Sequence, residues 1–147
     1  NLHSRESTDM TSRYLSFCWN QIAKLVSRDI IERKAFSSKQ NQAQLEPLLD
    51  DTISLIQSFG PKNLAATCHK LAKIGKLCRW SISNDVWTVL ESEIKCNFEY
   101  LDPRGIASTA WALATAKRSS SEVWKEIGTS ALHNIYEFNS QALANTV

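Results

Sequence analysis

The chain has 147 residues, of which 43% are hydrophobic and 22% are charged, as in an ordinary single soluble domain. Four Gly and three Pro leave few of the turns that an all-β sandwich or barrel needs, and the glycines stand too far apart for a phosphate-binding loop. The longest apolar runs fall short of the roughly 18 residues that cross a bilayer. The net charge of +2 is too small to identify a partner.

The first third of the chain predicts one degenerate pair of helices. The polar stretch 1–9 is expected to be a flexible N-terminal segment, and the absence of an initial Met favours a piece of a longer protein. Residues 10–59 are expected to form a unit with helices at 13–26 and about 42–59. The polar stretch 27–41 between these helices is expected to hold an insertion of twelve residues relative to the later units.

A repeat organises the rest of the chain. The segment NLAATCHKLAKIG from Asn63 aligns with GIASTAWALATAK from Gly105 and with ALANTV from Ala142. A second segment follows each of the first two, VWTVLESEIKCNFEYL at 86–101 and VWKEIGTSALHNIYEF at 123–138. Both kinds of segment have helical periodicity, so each unit is predicted to consist of a leading helix and a trailing helix.

The spacing between units predicts the architecture. Trp87 and Ile106 are 19 residues apart, and so are Trp124 and Leu143. Paired helices of about 37–42 residues per unit, none of which buries its apolar face alone, predict an all-α fold, an α-solenoid of stacked two-helix repeats. The expected units are about 10–59, 61–101, 103–138 and a truncated leading helix at 140–147. The alternative is a compact helical bundle.

The leading helices have two different faces on a helical wheel. The face expected to be core holds Leu64, Ala65, Cys68, Leu71 and Ala72, then Ile106, Ala107, Ala110, Leu113 and Ala114. The opposite face, expected to be free, holds Phe17, Gln21 and Lys24, then Ala66, Lys70 and Lys73, then Ser108, Ala112 and Thr115, with Asn145 in the last unit. Trp111 shares a flanking column with His69 and is expected to pack between repeats, with stacking on a base as the alternative.

Charges separate between the two kinds of helix. Leading segments, taken as 10–28, 61–80, 103–119 and 140–147, hold eleven of the seventeen basic residues and no acid. The trailing segments hold eleven of the fifteen acids. A positive surface suits single-stranded RNA, because Lys and Arg displace counterions from phosphates and short polar side chains can meet exposed bases. The candidate RNA-binding residues are Lys62, Ala66, Lys70, Lys73, Arg104, Ser108, Thr115 and Asn145. The alternative is that these lysines only keep a solvated face soluble.

No enzyme activity, cofactor or metal site is expected. The cysteines form no CxxC pair and are expected to be buried free thiols in a reducing compartment: Cys18, Cys68, Cys78 and Cys96. Adjacent residues of a helix, such as Cys68 and His69, point about 100° apart and cannot act as a nucleophile and its base. The acid pairs at 50–51 and 91–93 are expected to be solvated.

The repeated segments also resemble a known family. The strings DPRGIASTAWALATAK and FNSQALANTV resemble the "DPxxLANxxWALAxL" core of the octotricopeptide-type repeats of algal organelle proteins. They are similar, too, to the helical repeats of FAST-kinase-like and RAP-domain proteins and of the kinetoplastid RNA-editing substrate-binding complex. The resemblance implies a protein of the mitochondrion or plastid that binds organellar transcripts together with other RNA-processing proteins. His69 stands at the Trp of the motif, and Asn145 matches its Asn.

A second function fits the same architecture. A solenoid of the HEAT or armadillo kind binds partner peptides on its concave surface and acts as a non-catalytic scaffold for protein–protein interaction. Retention of single-stranded RNA that weakens steeply with salt distinguishes the RNA-binding hypothesis from the scaffold hypothesis. A membrane is not among the expected partners.

Overall fold

A computed structural model describes residues 2–133 and positions 140 and 144, with side chains from residue 11 onward except at position 121. This part of the chain is all-α, as predicted, with seven α-helices, two single 3₁₀ turns and no strand. The helices are α1 (Leu2–Arg28), α2 (Ile30–Phe36), α3 (Lys39–Ser54), α4 (Pro61–Cys78), α5 (Asn84–Asn97), α6 (Pro103–Thr115) and α7 (Ser121–His133). The expected helix at 140–147 lies outside the described residues except at its positions 140 and 144.

The starts of α4 and α6 follow directly from the sequence. Each helix begins with a proline, Pro61 or Pro103, whose missing amide is one that no helix start can satisfy internally. Gly60 precedes α4, and Asp102 precedes α6. The Asp102 carboxylate accepts a hydrogen bond from the Gly105 amide at 2.7 Å, which satisfies one of the free donors of the first turn. Both helices therefore start where the expected units 61–101 and 103–138 begin.

The same two helices end in a shared backbone motif. Arg79 follows α4 with a φ of 52°, and Lys117 lies just beyond α6 with a φ of 57°, so both are left-handed. The Trp80 amide then donates to the Gly75 carbonyl at 3.0 Å, and the Arg118 amide donates to the carbonyl five residues earlier at 2.9 Å. Such bonds satisfy carbonyls that the end of a helix leaves unpaired. Helices aligned by sequence thus also share their C-terminal geometry.

The core lies where α4 packs between α1 and α6, its two most extensive partners. The predicted core face is confirmed for these buried residues: Leu64, Ala65, Cys68, Leu71, Ala72, Ile106, Ala107, Ala110 and Leu113. Two alanines of α6 were assigned to the wrong face, because Ala114 is exposed and Ala112 is fully buried. Because α6 packs against both α4 and α7, its buried residues lie on more than one face of the helical wheel.

Tryptophan and hydroxyl side chains join α1 to the rest of the core. Trp19 of α1 is fully buried, and its indole N–H donates to the Thr52 hydroxyl of α3 at 2.8 Å. Its ring stacks on Trp80 with the ring centroids 6.2 Å apart. The Thr67 hydroxyl of α4 donates to the Ser16 hydroxyl of α1 at 3.2 Å. Buried polar groups need such partners, so these bonds hold α1, α3 and α4 in register.

The first unit differs most from its prediction. α1 begins at Leu2 rather than near residue 10, while the flexibility of 1–9 stays a prediction. The polar stretch 27–41 contains α2 instead of an extended connection. Asp29 caps this helix by accepting from the amides of Ile31 and Glu32, and the Arg33 guanidinium donates to the Val26 carbonyl at 2.7 Å. These bonds satisfy the backbone at the junction and turn the insertion into a helix.

Candidate functional site

Three cations lie close enough to Lys70 of α4 for their charges to act on it, and we call the four together the basic cluster: Lys24 of α1, Lys70 and Lys73 of α4, and Arg104 of α6. Burial lowers the pKa of the Lys70 ammonium, and the positive charges of Lys73, Arg104 and Lys24 lower it further. Charges act on each other in this way only when they lie close together. None of the four has an ion-pair partner among the residues that the structure describes.

His69 lies half-buried beside the basic cluster. Burial, followed by the charges of Lys70, Lys73 and Arg104, lowers the pKa of His69 to about 4. The imidazole is therefore neutral at physiological pH, although an ordinary His is close to titrating there. A proton on this ring would add a fifth positive charge to a surface that already carries four.

An aromatic contact joins α4 to α6 at the same place. The rings of His69 and Trp111 have centroids 4.6 Å apart and planes inclined by 41°. The Lys76 Nζ lies 5.9 Å from the centroid of the Trp111 ring, within the range of a cation–π interaction. Trp111 packs against the neighbouring leading helix, as predicted, and keeps part of its surface exposed.

The eight predicted site residues are distributed unevenly. Lys70, Lys73 and Arg104 come together in the basic cluster, whereas Lys62 is exposed on the first turn of α4 and is not among the charges that act on Lys70. The short side chains are half-buried on α4 and α6: Ala66, Ser108 and Thr115. Thr115 lines a cavity of about 220 Å³ with Lys76 and Trp87. Asn145 lies outside the described residues.

The sequence prediction left out four side chains of this surface: Lys24, His69, Lys76 and Trp111. Lys24 belongs to the same wheel column as the predicted cations, and His69 and Trp111 share a flanking column. The signal was therefore present in the alignment. It was missed because a column of the alignment shows which residues occupy equivalent positions in different units. It does not show which side chains of neighbouring helices are in contact.

Two basic side chains near the trailing helices, Arg118 and Lys95, are paired with acids. The Arg118 guanidinium donates to the Glu91 carboxylate at 2.7 and 3.3 Å, to Asn84 Oδ1 at 3.1 Å and to the Thr88 hydroxyl at 3.2 Å. Lys95 of α5 forms an ion pair with Glu122 of α7. Arg118, one of the eleven basic residues counted in the leading segments, turns back onto α5 and is held there by Glu91. The expectation that Glu91 is solvated was wrong, because it is buried beneath Arg118.

The separation of charge holds for α4 and α6 and is weaker in α1. Neither α4 nor α6 contains an acid, while α3, α5 and α7 carry most of the acids of the described helices. α1 begins earlier than the predicted boundary, so Glu6 and Asp9 belong to a leading helix. The positive surface therefore centres on α4 and α6, with Lys24 at its α1 side.

The cysteines offer no activated nucleophile beside this surface. Burial raises the pKa of the Cys68 thiol to about 12, so this neighbour of His69 stays protonated at neutral pH. Cys78 is buried as predicted, but Cys96 is exposed because it lies on the outer side of α5. Across the described residues, no group of three or more His, Cys, Asp or Glu side chains is placed to hold a metal ion.

Comparison with protein-family models and with curated proteins identifies no relative of this chain. No protein-family model matches the chain, and no curated protein has a significantly similar sequence. Within the part of the chain that the structure describes, no helix combines the length and apolar character of a membrane span. The surface formed by α1, α4 and α6 therefore has to be interpreted from its own chemistry.

Proposed function

We propose that this protein binds single-stranded RNA along the surface that carries the basic cluster. The observation that carries this proposal is that Lys24, Lys70, Lys73 and Arg104 lie near one another on three helices and form no ion pair with an acid among the described residues. Like charges held close together destabilise a fold, so such a cluster is typical of a surface that receives an anion. A phosphodiester strand supplies anions at regular intervals and gains affinity by releasing counterions.

The proposed framework is a solenoid in which the leading helices form one row and the trailing helices another. Three features support it. α4 packs between α1 and α6, the trailing helices α3 and α5 contact each other, and α4 and α6 share their start and end motifs. A row of leading helices would expose the cations of successive units along one continuous path, which suits an extended strand better than a compact ligand.

The cellular setting follows from the resemblance to octotricopeptide-type and RAP-associated helical repeats. We infer a role in mitochondrial or plastid RNA metabolism, without catalysis, in company with other RNA-processing proteins. The half-buried Ala66 and Ser108 are too short to reach far from their helices, so in the described units the proposed affinity comes mainly from phosphate contacts.

Salt-dependent retention of RNA tests this proposal. An unstructured 12-nucleotide RNA should be retained by the protein in low salt. With four cations engaged, affinity should fall roughly 50-fold between 50 and 200 mM salt, because each phosphate contact on a single strand adds about 0.7 to the logarithmic slope. Reversing Lys70 and Lys73 to Glu should weaken binding by at least tenfold and flatten that slope by more than 1.

A matched control distinguishes the effect of the basic cluster from the effect of the total charge. Changing Lys34 and Lys125, which are exposed on α2 and α7, to Glu alters the total charge equally. This control variant should retain most of the affinity. No RNA retention at low salt, or equal losses for both charge reversals, would contradict the proposal.

A protein-binding scaffold is the second candidate. The observation that favours it is an apolar strip on α1, where Tyr14, Phe17 and Leu25 are 68%, 55% and 43% exposed. Exposed apolar side chains grouped in this way mark protein-interaction surfaces. Binding of a protein partner that is insensitive to salt and abolished by changing Phe17 to Ser, with no RNA retention, would establish this function instead.

A further inference from the structure

We propose that the His69–Trp111 ring pair is the place where one unpaired base of the bound RNA strand stacks. This inference rests on the proposed function and adds a base contact to a surface otherwise interpreted as holding phosphates. The ligand class is an unpaired nucleobase within a single strand, in contrast to a duplex or an anion without a base.

The position of Trp111 sets it apart from the buried tryptophans. Trp19, Trp80 and Trp87 lie in the core with at most 6% of their surface exposed. Trp111 keeps part of its ring exposed at the junction of α4 and α6, the two helices that supply Lys70, Lys73 and Arg104. Trp111 contacts His69, on which the charges of Lys70, Lys73 and Arg104 act, so a strand held by these cations would pass near the ring.

The geometry of the ring pair suits a stacked base. The two ring planes are inclined by 41°, with the centroids 4.6 Å apart, so together they form an angled aromatic surface rather than a closed sandwich. The Lys76 ammonium lies 5.9 Å from the Trp111 ring centroid and extends the positive surface beyond the rings. A strand crossing from Arg104 towards Lys76 would therefore pass the rings with phosphates on both sides.

The chemistry of His69 favours stacking over charge attraction. The positive charges around it help to keep the imidazole neutral, so at pH 7 it offers a flat ring and not another cation. Base stacking on aromatic rings tolerates every base, because each base has a π-face. The site should therefore prefer unpaired bases to paired ones without reading a sequence.

Binding of three matched probes tests the inference: a 12-nucleotide RNA, a strand of the same length with an abasic sugar at each position, and a 12-base-pair RNA duplex. The unmodified chain should bind the normal strand roughly tenfold more tightly than the abasic strand, since stacking of a base typically contributes about that factor. Trp111→Leu should abolish this difference and leave the affinity for the abasic strand unchanged. That unchanged affinity also shows that the variant is folded.

Fluorescence supplies a second measurement that does not depend on a disruptive substitution. Binding of the normal strand should quench tryptophan emission, and the milder Trp111→Phe should remove most of the quenching while the protein still binds RNA. Binding that is strong and salt-dependent, but equal for normal and abasic strands, would overturn the base contact and leave the proposed function standing. Absence of any RNA binding would overturn both.

Discussion

Two groups of cations differ in whether an acid is paired with them. One group lies on α4 and α6, and the other lies near α5 and α7. Near the trailing helices, Arg118 is held by Glu91, and Lys95 is paired with Glu122. On the leading helices, burial and then the charges of Lys73, Arg104 and Lys24 lower the pKa of Lys70, and these cations form no ion pair among the described residues. A paired cation that is shielded from water, such as Arg118, contributes to the fold, whereas like charges without a partner oppose it slightly. The comparison teaches that partners, rather than residue type, distinguish a structural cation from one available to a ligand.

The largest effect on stability is expected for Arg118→Ala. The Arg118 and Glu91 side chains are only 19% and 11% exposed, so removal of the guanidinium leaves a buried carboxylate without its partner. It also removes the donors to Asn84 and Thr88. We expect the free energy of unfolding to fall by roughly 2 kcal/mol, measured by urea denaturation.

Lys95→Ala is the matched control for this prediction. Its pair with Glu122 is exposed to solvent, where water and salt screen the attraction, so the urea midpoint should not change measurably. If Lys95→Ala destabilises the protein as much as Arg118→Ala does, burial is not what makes the Arg118 pair important.

An intermediate effect is expected when the pH falls. The pKa of His69 is about 4 in the folded protein, below its ordinary value of 6.5, so the unfolded chain binds more protons between these values. Stability should therefore fall as the pH drops from about 6.5 to about 4. Because His69 is partly solvated, we expect a loss of roughly 1–2 kcal/mol from this residue.

Substitution of His69 isolates its share of the pH dependence. The Asn side chain of His69→Asn gains no proton in this range. The free energy of unfolding of this variant should therefore depend less on pH than that of the unmodified chain, as measured by urea denaturation at pH 7 and pH 4.5. His133→Asn serves as the control, since that side chain is exposed. Identical pH profiles for the unmodified chain and His69→Asn would show that neither burial nor the surrounding cations lower the pKa of His69.

The smallest effect should have the opposite sign. Lys70→Met keeps the apolar length of the side chain but removes one charge from the basic cluster. Relief of repulsion should raise the free energy of unfolding by about 0.3 kcal/mol at low salt, and 1 M salt should erase the gain. The same variant should bind RNA more weakly. A loss of stability would show that Lys70 has a structural role like that of Arg118.

Prediction from the sequence succeeded where a local rule decides the outcome. Prolines mark the starts of α4 and α6, and the small and apolar residues on one face of the helical wheel identified most of the core. It failed for Ala112 and Ala114, because burial in α6 depends on two neighbouring helices rather than one. It failed for Glu91 as well, since helical periodicity cannot show that a side chain after α6 covers a carboxylate on α5.

The sequence by itself determined the all-helical class, the starts of α4 and α6 and the concentration of basic residues on leading helices. These properties depend on propensity, capping and periodicity, which act over a few residues. Tertiary structure alone decided which cations keep their charge free and that His69 meets Trp111. Those outcomes depend on distances between residues from 27 to 46 positions apart, such as Glu91 and Arg118 or Lys24 and Lys70. Only the packing of α1, α4, α5 and α6 sets such distances.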